Sequence, residues 1–144
     1  MNLSVLLQPL AVEISAESLS QLERLTDELL RWNQRHNLTA ITERVEVLEK
    51  HLFDSLTLLP FIGGNDTLLD IGSGAGFPAL PLKIVCQQLE VVSVDAVSKK
   101  IAFQKHIARS LGLSGFTALH ERIEKLTLNP DYCEHFSLVT ARTL

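Results

Sequence analysis

At the centre of the chain lies the segment Leu69-Asp70-Ile71-Gly72-Ser73-Gly74-Ala75-Gly76-Phe77-Pro78. Residues 67–71 form an apolar run typical of a strand, and residues 79–89 are expected to form a helix. Glycines allow positive φ and let a ligand approach the backbone, while a helix start offers unpaired N–H groups and a positive dipole end. The segment therefore predicts a cradle for a polar small molecule, with an ordinary tight strand–helix turn as the alternative.

The spacing of the glycines separates two kinds of cofactor. Dinucleotide-binding folds carry G-x-G-x-x-G/A, whereas here Gly72, Gly74 and Gly76 alternate and Phe77 occupies the third position. Asp70 precedes the first glycine by two residues, where a carboxylate suits a ligand with an ammonium group and repels a pyrophosphate. The pattern resembles motif I of class I S-adenosylmethionine-dependent methyltransferases. A nicotinamide-dependent oxidoreductase is disfavoured by this spacing and by the absence of a catalytic Tyr/Lys or His pair.

The composition is that of a globular protein. The chain has 144 residues, 46% hydrophobic and 21% charged, with a formal net charge of -4. We therefore expect one compact domain with a small N-terminal extension. No apolar run approaches the ~20 residues that cross a bilayer, and the N-terminus lacks the basic start of a secretory signal. The protein is expected to be cytoplasmic, without a membrane partner, and to hold Cys86 and Cys133 as free thiols.

Strand and helix signals alternate from residue 65 onward. Strands are predicted over 67–71, 91–94, 116–119 and 136–140, and helices over 79–89, 98–111 and 121–126. Ser98 is expected to cap the second of these helices. Such alternation is typical of parallel strands joined by helical crossovers. The predicted fold class is α/β, with residues 65–144 forming a Rossmann-like cofactor-binding domain of the class I S-adenosylmethionine-dependent methyltransferase type.

The first 64 residues are predicted to form an N-terminal helical extension or cap. Ser15 is a candidate N-cap of a helix that ends near residues 35–37. Trp32 falls on the apolar stripe of this helix, so we expect it in the core. Thr42 is expected to cap a second helix. The apolar stripe of that second helix consists of Val45, Leu48 and Leu52.

Five short motifs follow one another at fitting intervals: Asn37-Leu38-Thr39, His51-x-x-Asp54-Ser55, the segment 69–78, Asp95-x-x-x-Lys99-Lys100-x-x-Phe103, and Arg122-Ile123-Glu124. Each alone is unspecific, but the ordered set is highly specific. Over residues 19–142 it resembles the glucose-inhibited division protein B family of bacterial 16S rRNA methyltransferases. The resemblance implies S-adenosyl-L-methionine as the cofactor and N7 of a guanine in 16S rRNA as the methyl acceptor. It also implies 16S rRNA or the small ribosomal subunit as the partner.

Residues around the glycine segment are candidates for the cofactor site. Gly72 and its neighbours would let the backbone contact the methionine part, and Phe77 would cover one side of the pocket. Asp95 follows Gly72 by 23 residues, where a carboxylate ending the second strand can accept both ribose hydroxyls. An acid that merely starts the next helix is the alternative. The candidate cofactor-binding residues are Gly72, Phe77, Asp95, Ile123, Glu124, Arg142, Asp70, Gly74 and Gly76.

The last members of this set follow the third and fourth strands. Ile123 and Glu124 would lie near the adenine edge, with a solvated helix charge as the alternative for Glu124. Arg142 would point into the crevice above the strand ends, where it could hold the cofactor carboxylate or an RNA phosphate. A flexible arginine near the end of the sequence is the alternative.

No residue is assigned to chemical catalysis or to a metal. N7 of guanine has a free lone pair, so methyl transfer to it requires positioning and exclusion of water rather than a general base. The five histidines show no metal-ligand spacing. His51, Asp54 and Ser55 are at helical spacing and are expected to form a cap or a hydrogen-bond cluster, while the resemblance leaves a role on the substrate side open.

Lys99, Lys100, Lys105 and Arg109 recur on one predicted helix with no acid between them. They give an acidic chain a local basic face. Such a face would contact RNA phosphates with an affinity that depends on salt but not on the base. A merely solvated helix face is the alternative.

The sequence departs from the resembling family at two positions. Ala79 stands where the family has glycine, and Ser137 where it has aspartate, while Arg142 is kept. The family's sheet has more strands than the four predicted here, so the sheet is expected to be C-terminally incomplete. A truncated, catalytically incompetent cofactor-binding fragment is therefore the alternative function. The apolar strand predicted over 136–140 has no guarding proline or lysine, and we expect it to cause self-association or marginal stability.

Overall fold

Four parallel strands form one sheet in the order β3-β2-β1-β4 in the computed structural model of the protein, which describes residues 2–130, 132 and 135–142. The strands are β1 (Thr67–Ile71), β2 (Glu90–Asp95), β3 (Phe116–His120) and β4 (Leu138–Ala141). The crossover helices are α5 (Ala79–Val85), α6 (Ser98–Leu111) and α7 (Ile123–Leu126). The prediction of a Rossmann-like α/β sheet with helical crossovers is confirmed. Cys133 lies outside the described residues, and Cys86 is a free, half-buried thiol.

Helices fill the chain before β1. They are α1 (Leu3–Leu7), α2 (Ala16–His36), α3 (Arg44–Glu46), a π-helical segment (Val47–Phe53) and α4 (Asp54–Leu56), with 3-10 turns at Gln8–Leu10 and Leu59–Phe61. Ser15 caps α2 as predicted, because its hydroxyl accepts the Ser18 N–H. The helix ends at Asn37, which adopts φ 48°. None of the described helices is long and apolar enough to cross a membrane.

The second helical region differs from its prediction. The cap position before α3 is Glu43, without a side-chain hydrogen bond, so Thr42 as a cap is wrong. Val45 is 45% exposed, whereas Val47 is fully buried with Leu52, five residues further on. Leu48 and Leu52 are buried as predicted, and the π-helical hydrogen bonding, which joins residues i and i+5, brings Val47 into the stripe in place of Val45.

The ends of two crossover helices also differ from their predictions. Helix α5 stops at Val85, four residues early, because the buried Lys83 ammonium donates to the carbonyls of Gln87 and Leu89 and holds them in a turn. Burial lowers the pKa of Lys83. The cap position of α6 is Val97 rather than Ser98, since the Val97 N–H donates to Asp95 Oδ1.

The sheet separates two clusters of buried side chains. Leu68 belongs to the larger cluster, which unites the helices before β1 with α5 and α6, and Leu69 to a smaller one under α7. Trp32 lies half-buried at the rim of the larger cluster, with its ring centroid 5.4 Å from that of Phe103.

Within the described residues β4 pairs with β1 alone, and Val139 on it is 59% exposed. Because all four strands are parallel, their carboxyl ends lie together at one edge of the sheet.

Candidate functional site

Two cavities meet at the carboxyl ends of the strands. The strand cavity, of about 310 Å³, is lined by Ile71, Gly72, Val94, Asp95, Ala96, Glu121, Arg122, Ile123 and Glu124. The loop cavity, of about 520 Å³, is lined by Leu38, Thr39, Ala40, Ile41, His51, Gly72, Ser73, Gly74, Ala75, Phe77, Asp95, Val97, Lys100 and Arg142. Gly72 and Asp95 line both cavities, so the two cavities adjoin at these residues.

Asp95 fixes the glycine loop against the start of α6. Its Oδ2 accepts the Gly74 N–H at 2.8 Å, and its Oδ1 accepts the Val97 N–H at 2.8 Å. The carboxylate therefore performs the helix-start role that the sequence left as an alternative. A carboxylate has about four lone-pair positions, so both oxygens keep acceptor capacity toward the cavities.

Gln104 supports the loop from below and was missed by the sequence analysis. It is completely buried, and its Nε2 donates to Ser73 Oγ at 2.8 Å and to the Gly74 carbonyl at 2.7 Å. The signal available in the sequence was an amide inside the apolar face of α6. Because the loop is held by both Asp95 and Gln104, its conformation is set before any ligand binds.

Asp70 and Gly76 lie beneath the loop and line neither cavity. Asp70 is fully buried, and its Oδ2 accepts the Ala79 N–H at 3.2 Å at the start of α5. Gly76 has φ 104°, and a Cβ built there would lie 2.4 Å from Leu80 Cδ1. The expectation that the Asp70 carboxylate faces a ligand is not met in this geometry, because its strand position turns it toward α5.

Burial shapes the electrostatics of Asp70. It raises the pKa of this carboxyl to about 7, against the lowering effects of the Thr140 hydroxyl, the Ala79 N–H and Arg142. Asp70 Oδ1 and Thr140 Oγ1 nevertheless find no partner with hydrogen-bond geometry among the described residues. We conclude that the Thr140 interaction is weak and that burial dominates.

His51 covers the loop cavity from the helical side. Its ring stacks on Phe77, which is 5% exposed, and its Nε2 lies 3.1 Å from Thr39 Oγ1. Burial and the Arg142 guanidinium lower the pKa of His51 to about 4, with Asp54 acting in the opposite direction. The imidazole is therefore neutral at physiological pH. His51 lines the cavity as well as taking part in a cluster, so the two roles left open by the sequence are compatible.

Arg142 reaches the loop cavity from the end of β4. Its Nη2 lies 3.1 Å from Asp54 Oδ2 and 3.4 Å from the Lys50 carbonyl. The side chain is 35% exposed. Arg142 is thus tied to the helical region before β1, and the ion pair spans the cleft between helices and sheet.

The predicted basic face of α6 is divided between two sites. Lys100 lines the loop cavity, whereas Lys105 and Arg109 line a separate groove along β3. The four residues therefore do not form the single basic face that was predicted. At about 100° per residue, Lys100 and Lys105 lie about 140° apart around the helix. Within the described part of the chain, no group of three or more His, Cys, Asp or Glu side chains is arranged to hold a metal ion.

Ile123 and Glu124 lie together on the wall of the strand cavity at the start of α7. Glu124 is exposed, while Ile123 is half-buried and packs on the smaller buried cluster. This placement agrees with the expected neighbourhood, and contact with an adenine stays a prediction.

Sequence comparison places the chain among known proteins. A family model described as rRNA small subunit methyltransferase G matches residues 18–144. A ribosomal RNA small subunit methyltransferase G of Geobacter sp. (strain M21) is 53% identical over 133 residues, which are 92% of this chain and 60% of that protein. One of Myxococcus xanthus (strain DK1622) is 55% identical over 115 residues, 80% of this chain and 53% of that protein. The chain thus spans between 53% and 60% of these two relatives.

Solved structures share the fold. A protein-L-isoaspartate O-methyltransferase aligns with a TM-score of 0.53 at 14% identity, over 83% of this chain and 47% of that one. The YcgJ protein from Bacillus subtilis aligns with a TM-score of 0.50 at 25% identity, over 62% of this chain and 37% of that one. These likenesses support the α/β architecture described above.

Proposed function

The chain belongs to the rRNA small subunit methyltransferase G family, and we propose that it serves S-adenosylmethionine-dependent methylation of N7 of a guanine in 16S rRNA. The observation that carries the proposal is the pair of cavities that meet at Gly72 and Asp95, above a loop held in place from both sides. The strand cavity would hold the nucleoside of the cofactor. The loop cavity would hold its methionine part together with the target base.

The residues of the two cavities fit the cofactor in chemical type. In the strand cavity, Asp95 would accept ribose hydroxyls through its remaining lone pairs, beside Ile123 and Glu124. In the loop cavity, the backbone at Gly72 and the Phe77 ring would enclose the methionine part. When bound, S-adenosylmethionine supplies an electrophilic methyl group on a sulfonium.

The protein's own contribution is positioning and exclusion of water. N7 of guanine offers its lone pair without losing a proton, so no general base is required. His51 lines the loop cavity and would be a weak base, because burial and the Arg142 guanidinium lower its pKa to about 4 and keep its ring neutral. A neutral ring avoids repulsion with a sulfonium, and its stack on Phe77 closes the cavity on the helical side.

The proposal also includes a partner, a division of the chain into two parts and a surface for self-association. The groove with Lys105 and Arg109 would contact RNA phosphates of the small ribosomal subunit in the cytoplasm. Residues 1–64 would act as the helical cap and residues 65–144 as the cofactor-binding domain. The outer edge of β4, with its exposed Val139, would favour association of two copies.

The test separates binding from turnover. Calorimetry should show binding of S-adenosylhomocysteine but not NAD, and Gly74→Val should weaken it by filling the loop cavity. Transfer of a labelled methyl group to small ribosomal subunits, mapped to guanine N7, would establish the activity. Tighter binding of NAD would overturn the cofactor assignment, and binding without transfer would reduce the function of this chain to cofactor binding.

A further inference from the structure

The loop cavity contains two cations in very different situations. Arg142 is held by Asp54 and by the Lys50 carbonyl. The half-buried Lys100 has no ion-pair or hydrogen-bond partner for its ammonium among the described residues, although it lines the same cavity. No ion pair joins Lys100 to Asp95, the acid of this cavity, whose oxygens hold the Gly74 and Val97 N–H groups and whose remaining lone pairs the proposed function gives to the ribose. Lys100 is therefore the cation in this cavity whose donors are free.

Lys100 shares the loop cavity with apolar side chains that a flat base could contact. Leu38 and Phe77 are buried, Ile41 packs on the same cluster, and all three line the loop cavity. A purine held against Leu38 and Ile41 would share the cavity with one free ammonium. The group that faces this ammonium then decides which purine is accepted.

Guanine and adenine differ beside N7. Guanine presents the O6 acceptor there, and adenine presents the N6 amino donor. A lysine ammonium donates only, so it attracts O6 and opposes the amino group. A donor on O6 also leaves the N7 lone pair free to accept a methyl group.

We propose that Lys100 selects guanine over adenine by donating a hydrogen bond from Nζ to O6 of the target base. The inference rests on the proposed function, since it assigns the base-reading residue of the same site. Lys100 is a specificity-determining residue here and takes no part in the transfer itself.

The test measures binding of three short RNAs that differ at one base, which is guanine, inosine or adenine. Inosine keeps O6 and N7 and lacks the 2-amino group. Fluorescence anisotropy with S-adenosylhomocysteine present should give roughly tenfold tighter binding of the guanine and inosine RNAs than of the adenine RNA. Lys100→Ala and Lys100→Met, which keeps an apolar stem, should reduce that ratio to below about twofold.

Lys99→Ala is the matched control, because Lys99 is exposed on the same turn and lines neither cavity. Whatever it does to overall affinity, the preference for guanine should persist. An unchanged preference in the Lys100 variants would overturn the inference. If the Lys100 variants bind all three RNAs equally more weakly, Lys100 contacts a phosphate. If they bind S-adenosylhomocysteine more weakly, Lys100 contacts the cofactor. Either result would reject a role in base recognition.

The binding results distinguish a failure of this inference from a failure of the proposed function. If the unmodified chain binds neither S-adenosylhomocysteine nor any of the RNAs, the proposed function fails and the base-reading role fails with it. If the unmodified chain binds both and prefers guanine, the comparison of Lys100 with Lys99 decides the role alone. Circular dichroism of each variant confirms that the fold is retained.

Discussion

The imidazole ring of His51 lies on the phenyl ring of Phe77, with the ring centroids 4.7 Å apart and the planes 17° from parallel. Hydrogen bonds connect His51 in turn to Asn33, near the end of α2. His51 Nε2 meets the Thr39 hydroxyl, and the Thr39 N–H donates to Asn33 Oδ1 at 2.9 Å. A continuous set of contacts thus joins the end of α2 to the glycine loop.

Removing the His51 ring should loosen Phe77. We expect His51→Ala to weaken S-adenosylhomocysteine binding about tenfold, since one wall of the loop cavity is lost, with a stability loss on the order of 1 kcal/mol. Calorimetry and urea unfolding measure the two effects. His36→Ala is the control, because His36 also packs on an aromatic ring, that of Trp32, with centroids 5.4 Å apart, and lines neither cavity. Equal loss of affinity in both variants would contradict a specific role for His51.

Acid should destabilise the protein through His51. The folded pKa of about 4 lies below the ordinary 6.5, so between these values the unfolded chain binds a proton that the folded chain does not. The stability present above pH 6.5 is therefore lost as the pH falls toward 4. Urea unfolding of His51→Gln across this range should lack that loss. A variant whose profile matches the unmodified chain would show that His51 titrates normally.

Asp70 should act in the opposite direction. Its folded pKa of about 7 lies above the ordinary 3.8. The stability that protonated Asp70 contributes is therefore fully present below pH 3.8 and is lost as the pH rises toward 7. The difference corresponds to at most on the order of 4 kcal/mol at pH 8. Asp70→Asn keeps an acceptor for the Ala79 N–H and offers a donor to Thr140, so it should stabilise the chain at pH 8 and have little effect at pH 4.

The two groups oppose each other between pH 4 and pH 7. We therefore expect the contributions of these two groups to offset each other largely, with His51→Gln and Asp70→Asn tilting the stability profile in opposite directions. Variants that tilt the profile in the same direction would contradict the environments described for these two side chains.

Gly76 should tolerate no side chain. In Gly76→Ala the new Cβ meets the buried Leu80 and adds overpacking, about 1–3 kcal/mol, to the strain of φ 104°. Gly112→Ala is the comparison, because Gly112 has φ 66° and open space around it, so strain alone costs about 1–2 kcal/mol. Thermal unfolding of both should show the larger loss for Gly76→Ala. Equal losses would mean that Leu80 moves aside freely.

The sequence predicted those features that depend on neighbouring residues. The strand β1, the cap at Ser15 and the glycine loop follow from local pattern, and each lies where it was expected. The π-helical turn did not, because whether Val45 or Val47 is buried depends on packing against other elements. Local rules assume a regular helix, and the π-helical turn replaces Val45 by Val47 in the buried stripe while Leu48 and Leu52 stay buried as predicted.

Long-range contacts explain the remaining differences in the site. The burial of Asp70 depends on α5 covering its face of the sheet, and the separation of Lys100 from Lys105 depends on where the loop and β3 end up around α6. Gln104 supports a loop thirty residues earlier in the chain. A single sequence contains no local signal for such pairs, and a role of His51 on the substrate side stays a prediction.

The sheet order also sets the order in which the site is completed during folding. Strands β1, β2 and β3 are neighbours along the chain and in space, whereas β4 must return to the far edge of β1, where Ser137 bonds Thr67 across a separation of 70 residues. Closing so long a loop is entropically the costliest pairing, so it is expected last. Thr140 and Arg142 arrive with that strand. A chain emerging from the ribosome therefore possesses its glycine loop well before it possesses Arg142, the side chain that ties the end of β4 to the helices before β1.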